Sequence, residues 1–277
     1  MVEEMSFKYQ ENQRYRMPVI FGPSISPRQG PDGKRYDYSE TPKTGVSLQY
    51  LTEARRLEAL LPPGFRLYGD PVVTVEFSYY PSFEWLAGRG YNTLGIKFPV
   101  EFRGETDRAT GPFLAVLWEN MPEPIITGRE ELGFAKLYCE IPGPRVIGDT
   151  HYYTARWDGH VFLKMTLSGL AEAEAPTPTI NYDGVLHYQY VPKVGRPGES
   201  LVEQAVLTPA GGMTLRTDRY RIASGSNIEF VRSTWEQLPT MHTLINTMAE
   251  LPIVEVLGAS IANQRGAKDL SDQRPLR

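Results

Sequence analysis

The sequence predicts a single-domain, mainly β (α+β) fold: an antiparallel barrel or sandwich with a few flanking helices. Short runs of β-branched and aromatic residues recur along the chain, turn-forming pairs separate them, and few helical periodicities lie between. The 277 residues, 41 % of them apolar, are enough for one large core. The 23 prolines and 25 glycines favour turns without reaching the level of low-complexity chains. No internal repeat and no linker between two domains is visible.

The first 44 residues read as an irregular arm that wraps the body or a neighbouring subunit. The stretch FGPSISPRQGPDGKRYDYSETPKTG holds four prolines and four glycines, and its Tyr and Phe content argues for packing. A helix is expected between Thr52 and Pro63. Thr52 serves as N-cap, Glu53 suits the positive helix end, and Pro62–Pro63 stop it. Ala54, Leu57, Leu60 and Leu61 form its packing face. Strands are expected at Val72–Tyr80, Ile96–Arg103, His160–Leu167, Val185–Val191 and Ile228–Trp235. Phe113–Trp118 (FLAVLW) is a continuous apolar run, as in a strand covered on both faces. Asp32–Gly33, Asp158–Gly159 and Asp183–Gly184 are hairpin-type turn pairs. Met241–Ala249 reads as helical, Val254–Ala262 is apolar without a clear period, and residues 266–277 read as a polar tail.

Composition also limits function. The net charge is −4, the pI is about 5.7, and no basic stripe marks a nucleic-acid groove. Cys139 is the single cysteine, which excludes an internal disulfide and a cysteine zinc site. The polar, acidic N-terminus is not a signal peptide, and no apolar run reaches the ~20 residues of a membrane helix. A cytoplasmic protein with no nucleic-acid or membrane partner is expected. Phosphate-loop, dinucleotide-loop, HExxH and GxSxG motifs are absent. The four histidines (His151, His160, His187, His242) are scattered and read as surface or packed side chains, so no metal is expected.

Lysine and carboxylate chemistry remains. The chain has 21 Arg and only 8 Lys, and three lysines sit among apolar neighbours. On strands, Lys97 and Lys164 would point to the wet face between buried neighbours. Lys136, in GFAKLYC, admits either the same reading or a function. A buried lysine is costly as a cation, so its pKa falls and a nucleophilic free amine becomes available.

Met121–Tyr138, MPEPIITGREELGFAKLY, resembles the core signature of the acetoacetate decarboxylase family. That signature is a Gly-Arg-Glu followed by an aromatic residue and then a Schiff-base lysine eight residues after the glycine. Here Gly128, Arg129 and Glu130 lead to Phe134 and Lys136 at that offset. The Thr52–Pro63 segment, DPVVTVEF (Asp70–Phe77), YNTLGIKFPVEF (Tyr91–Phe102) and LPIVEVLGASI (Leu251–Ile261) follow the family's order, so the likeness spans roughly residues 45–262.

The resemblance implies a cone-like antiparallel barrel over residues 45–265, homo-oligomeric assembly and covalent chemistry without a cofactor. A lysine amine condenses with a substrate ketone, and the protonated imine draws electrons from a neighbouring bond. Loss of CO2 from an acetoacetate-like keto acid gives a decarboxylase. Attack of the enamine on an aldehyde gives an aldolase-dehydratase acting on pyruvate, and a non-catalytic small-molecule-binding barrel is the alternative outside enzymes. By position, Lys136 matches the imine-forming lysine and Glu76 one of two site glutamates, moving protons or orienting a substrate group. Thr93 stands at the second glutamate's place, so Thr93 and Tyr91 are the substrate-binding candidates. Leu137 stands where classical members carry a second lysine. The family's N-terminal arginine falls near Lys43. Arg129 and Glu130 are expected to pair and brace the loop carrying Lys136. The aromatic residues Tyr79, Tyr80, Trp85, Tyr91, Tyr188 and Tyr190 are available to line a pocket for a bulkier substrate.

Overall fold

The computed structural model describes residues 8–9, 11, 15–21, 30, 32–177, 180–212 and 215–277. Among them, fourteen strands form one sheet. In chain order these are β1 (Pro42–Leu51), β2 (Phe65–Leu67), β3 (Val72–Phe83), β4 (Arg89–Arg103), β5 (Arg108–Glu119), β6 (Lys136–Tyr138) and β7 (Arg145–Ile147). They continue as β8 (Thr150–Trp157), β9 (His160–Glu172), β10 (Gly184–Pro192), β11 (Ser200–Pro209), β12 (Arg216–Phe230), β13 (Glu255–Arg265) and β14 (Arg274–Leu276). Three helices accompany them: α1 (Ala54–Glu58), α2 (Pro122–Glu130) and α3 (His242–Glu250).

The sheet order is β14-β11-β10-β5-β4-β3-β1-β13-β12-β9-β8-β7, with β2 attached to β4 and β6 to β5. This path has two ends. Among the described residues no ladder joins β14 to β7, so the hydrogen bonding describes an open sheet, not the closed barrel expected. The sheet nevertheless folds over its own core. Phe77 on β3 lies 5.8 Å from the ring of Tyr153 on β8, and Trp118 on β5 lies 5.7 Å from Phe162 on β9. Nor is the pairing wholly antiparallel: β6 and β10 each run parallel to β5.

Period-two alternation sorts the side chains. Val46, Leu48 and Tyr50, then Val73, Val75 and Phe77, then Leu94, Ile96 and Phe98 all enter the main core. Their neighbours point to the opposite face of the same strands. In β5 a bulge beside Ile96–Lys97 changes the count, so that Val116 partners Ile96 while Leu114 partners Lys97. Phe113–Trp118 is accordingly covered on both faces, as its unbroken apolar run predicts.

Strands expected at Val72–Tyr80, Phe113–Trp118, His160–Leu167 and Val185–Val191 are present and longer. The one expected at Ile96–Arg103 begins earlier, at Arg89. The one expected at Ile228–Trp235 ends at Phe230, where Val231 N donates to Phe162 O and Asn246 then takes the Ser233 backbone. The expected helix after Thr52 is shorter. Glu53, not Thr52, is the N-cap, and the Thr52 backbone N–H instead donates to Pro71 O. Of its proposed packing face only Leu57 is fully buried, and Leu60 is 40 % exposed. The helix near Met241 is α3, and the ambiguous Val254–Ala262 stretch falls in β13. Asp158 and Gly159 both have positive φ and close the β8–β9 hairpin as expected. Asp183–Gly184 is no hairpin turn: the Asp183 carboxylate accepts from the Thr110 backbone and hydroxyl, tying β10 to the start of β5.

Two described points of the N-terminal arm touch the body, while Met17, Ile20 and Phe21 are exposed. The Arg16 guanidinium donates to Thr127 Oγ1 on α2, and Tyr38 O accepts from Ala267 N at 3.0 Å. Residues 22–29 and 31, within the Pro/Gly-rich stretch, lie outside the described residues. Residues 42–44 belong to β1, and β14 falls inside the segment read as a polar tail, with Leu276 buried against β11. No helix among the described residues is long and apolar enough to cross a membrane.

Candidate active site

The site lies on the sheet face opposite the main core. Cross-strand pairing brings its residues side by side: Glu76 faces Gly95, Ser78 faces Thr93, and Tyr80 faces Tyr91 between β3 and β4. Thr93 in turn faces Glu119, and Gly95 faces Leu117, between β4 and β5. Leu117 pairs with Lys136 on the short parallel strand β6. These residues border two adjoining chambers of about 260 Å³ and 590 Å³ that share Glu76, Tyr91, Lys97 and Lys136. All four residues expected at the site, Lys136, Glu76, Thr93 and Tyr91, therefore line one cavity.

Lys136 is 7 % exposed. Its Nζ donates to Glu119 Oε1 at 2.8 Å and to Pro124 O at 2.9 Å. The Phe134 ring centroid is 5.6 Å from the amine. Glu119, only 1 % exposed, keeps its second oxygen, Oε2, buried without a hydrogen-bond partner. Burial, opposed by the Glu119 charge, pulls the Lys136 amine below the ordinary lysine range. Burial, opposed by Lys136, pushes the Glu119 carboxyl above the ordinary carboxylate range. Burial thus works against the charge on both partners, and each charge is held in turn by the other.

The sequence around Lys136 exists to seat this side chain. Helix α2 starts with Pro122 at its first turn, where a missing N–H costs nothing. It brings Gly128 so close that a Cβ there would fall 2.3 Å from Lys136 Cε. Phe134 N donates to Gly128 O, and Arg129 donates to Lys136 O at 2.8 Å. Arg129 thus braces the lysine strand through the lysine's own carbonyl, but the expected pairing with Glu130 is not formed. Behind Phe134, the buried His187 ring stacks at 4.1 Å. Its Nδ1–H donates to Gly133 O, and its Nε2 accepts from Thr208 Oγ1. Burial drops its pKa to about 4, with the Gly133 carbonyl opposing and Lys136 assisting, so the imidazole is neutral.

Glu76 stands between two lysines. Lys43 Nζ lies 3.1 Å from Oε1, Lys97 Nζ lies 2.8 Å from Oε2, and Ser78 Oγ donates to Oε1 at 3.1 Å. Burial opposes its charge, but Lys97 and Lys43 hold the carboxyl far below the usual range. Lys43 is likewise held above the ordinary lysine range by Tyr80 and Glu76 against the opposing effect of burial. The wet-face expectation for Lys97 is therefore corrected: the strand does alternate, but its second face is the cavity wall. Lys164 is exposed beside Glu229 as expected.

Thr93 is buried opposite Glu119, with a neutral hydroxyl where the resemblance would place an acid. Burial first, then Glu119, Tyr80 and Tyr38, pushes the Tyr91 hydroxyl well above its usual pKa, so it remains a donor. Tyr80, Phe83 and Trp85 line the wider chamber with Tyr91, whereas Tyr79, Tyr188 and Tyr190 do not. No group of three or more metal-ligating side chains occurs among the described residues. Sequence reasoning missed Glu119 and Lys97 as site residues. A carboxylate closing the apolar run FLAVLW was a signal for Glu119, whereas nothing in the spacing pairs it with Lys136.

A buried lysine held against a carboxylate thus lines the cavity of a mainly β scaffold. The family profile for acetoacetate decarboxylase matches residues 16–267, and the chain belongs to that family. Its fold is shared with the acetoacetate decarboxylase of Legionella pneumophila, at 19 % identity, TM-score 0.62 and 86 % coverage of each chain. It is shared with an acetoacetate decarboxylase-like enzyme from Sphingomonas wittichii RW1, at 16 % identity and TM-score 0.63, covering 90 % of this chain and 97 % of that one. The enduracididine biosynthesis enzyme MppR, in complex with pyruvate, matches at 16 % identity and TM-score 0.60, covering 90 % of this chain and 95 % of that one. No curated protein matches in sequence.

Proposed function

We propose that this chain is a carbon–carbon lyase that captures a keto acid as an imine on Lys136. The observation that carries this reading is the Lys136–Glu119 contact, buried at one end of a cavity. Where classical members of the family have a second lysine, Leu137 is only partly buried and packs on the core. Desolvation replaces a neighbouring cation as the device that lowers the amine's pKa, and Glu119 takes the amine's proton as it attacks.

The amine attacks the substrate carbonyl carbon and forms a carbinolamine. Glu119 returns its proton to the departing hydroxyl, which leaves as water, and the nitrogen lone pair forms the protonated imine. In a β-keto acid the bond to the carboxylate then breaks. CO2 leaves, the electron pair moves into the imine, and an enamine remains. Protonation of its carbon and hydrolysis release the ketone and restore the amine. Tyr91 is positioned to donate to substrate oxygen, and Thr93 to fix the substrate by a neutral hydroxyl. The chemistry needs no cofactor beyond the lysine, and the resemblance supports a cytoplasmic homo-oligomer built on the 45–265 domain.

Thr93 also favours a second outcome, condensation. A relative of the same fold, MppR, is described in complex with the condensation product of pyruvate and imidazole 4-carboxaldehyde. With an enamine on Lys136, attack on an aldehyde carbon gives an aldol adduct instead of CO2, and the wider chamber has room for such a partner.

Borohydride trapping tests the reading. Incubation with acetoacetate or pyruvate, then reduction, is expected to leave a secondary amine on Lys136 by mass spectrometry, with CO2 release or condensation separating the two outcomes. Lys136→Arg is expected to fold and be inert, because guanidinium stays protonated. Absence of an adduct with any keto acid, together with unchanged ligand binding in Lys136→Ala, would favour a binding module.

A further inference from the structure

The wall opposite Lys136 holds more positive than negative charge. Glu76 is one carboxylate between two ammonium groups, and the three side chains are only 17–25 % exposed. A simple ion pair would leave no net field in the cavity, whereas this arrangement leaves one uncompensated positive charge. The hydrogen bonding also leaves donors free. Each ammonium has three N–H groups, and the contacts to Glu76 use one of each. Glu76 accepts from Lys43, Ser78 and Lys97, so it serves as an acceptor and is poorly placed to carry protons.

Position completes the case. Lys97 lies two residues along β4 from Gly95, and Gly95 reaches Lys136 through Leu117 on β5. Strand spacing puts the two Cα atoms roughly 12 Å apart, within reach of two lysine side chains converging over one ligand. The chamber these lysines border is also walled by Tyr80, Phe83 and Tyr91, whose rings lie 4.9–5.6 Å apart.

We propose that Lys97, assisted by Lys43, is the specificity element that takes the substrate's carboxylate, and that Glu76 is a positioning residue that splays the two ammonium groups toward the cavity. The preferred substrate class is a keto acid with an aromatic or similarly broad apolar body. The inference rests on the imine reading for the reacting carbonyl alone; recognition of the anion stands apart from it.

The test uses three probes and one neutral control, 3-phenylpropanamide, with the full chain. Phenylpyruvate carries carbonyl and carboxylate, phenylacetone the carbonyl only, and 3-phenylpropanoate the carboxylate only. Calorimetry on the wild type is expected to show 3-phenylpropanoate binding about tenfold tighter than 3-phenylpropanamide, with affinity falling as salt is raised. Lys97→Met is expected to weaken 3-phenylpropanoate about tenfold, and to raise the phenylpyruvate concentration for half-maximal borohydride trapping by a similar factor. It should leave phenylacetone trapping within twofold, and Lys97→Arg should restore acid binding. Equal binding of acid and amide to the wild type overturns the proposal without any variant. So does a Lys97→Met protein that binds the acid normally, or one that loses phenylacetone and phenylpyruvate alike. If no ketone is trapped yet the acid binds through Lys97, the imine reading fails and the anion site stands.

Discussion

Replacing Gly128 by alanine probes the contact on which the candidate site depends. The added Cβ would lie 2.3 Å from Lys136 Cε, 2.4 Å from Cδ and 2.6 Å from Nζ. Ordinary contact is 3.4–4 Å, so the lysine side chain must retreat by about 1 Å or more. Because a flexible side chain is what gives way, the fold should survive, with overpacking costing about 1–3 kcal/mol and a few degrees of Tm. The chemistry should not. The 2.8 Å contact to Glu119 and the 2.9 Å contact to Pro124 O cannot both persist after such a move. A misplacement of about 1 Å at a reacting group is worth roughly 10²-fold in rate. The assay is the rate of borohydride trapping with acetoacetate or pyruvate, read beside a thermal melt. Gly143→Ala serves as control, since a Cβ there meets nothing within 4 Å. Trapping in Gly128→Ala at the wild-type rate would refute the argument that this glycine seats the amine.

Other perturbations address the neighbouring groups. Glu119→Gln removes the charge that opposes deprotonation of Lys136, so the pH midpoint for trapping should fall while turnover drops roughly 10²–10⁴-fold for want of the acid; an unmoved or higher midpoint contradicts the pairing. Arg129→Met withdraws the donor to Lys136 O and should slow trapping with little change in the pH midpoint, whereas a large midpoint shift would assign Arg129 an electrostatic role instead. His187 binds a proton near its ordinary pKa only when unfolded, and at about 4 when folded. Its contribution is therefore complete above pH ~6.5 and is lost as pH falls toward 4, up to about 3 kcal/mol. Denaturant titrations across that window should show His187→Phe with a flatter acid limb than the wild type, and identical limbs would reject the assignment.

Much of the fold is written in local pattern. β3 and β5 follow from β-branched and apolar runs, and the β8–β9 turn follows from Asp158–Gly159. The signature spacing from Gly128 to Lys136 has a steric cause, because only a residue without Cβ leaves space for the lysine stem. What pattern concealed was pairing. Helix α2 opens Pro-Glu-Pro, which reads as loop until the proline is placed in its first turn. Glu119 and Lys136 meet because β6 lies parallel to β5, a long-range choice with no local mark. Lys97 alternates as its strand requires, but alternation states only that a side chain leaves the core. Whether it then meets solvent or a second, smaller interior depends on what covers the sheet.

That cover comes from both ends of the chain. Tyr38 from the beginning and Ala267, Lys268 and Leu270 from the end border the same cavity, with Ala267 N bonded to Tyr38 O. Leu276 and Arg277 then latch onto β11 and the Thr106–Asp107 turn. Lys136 therefore leaves the ribosome well before part of the wall around it, and that side of the cavity stays open until residues 267–270 have followed.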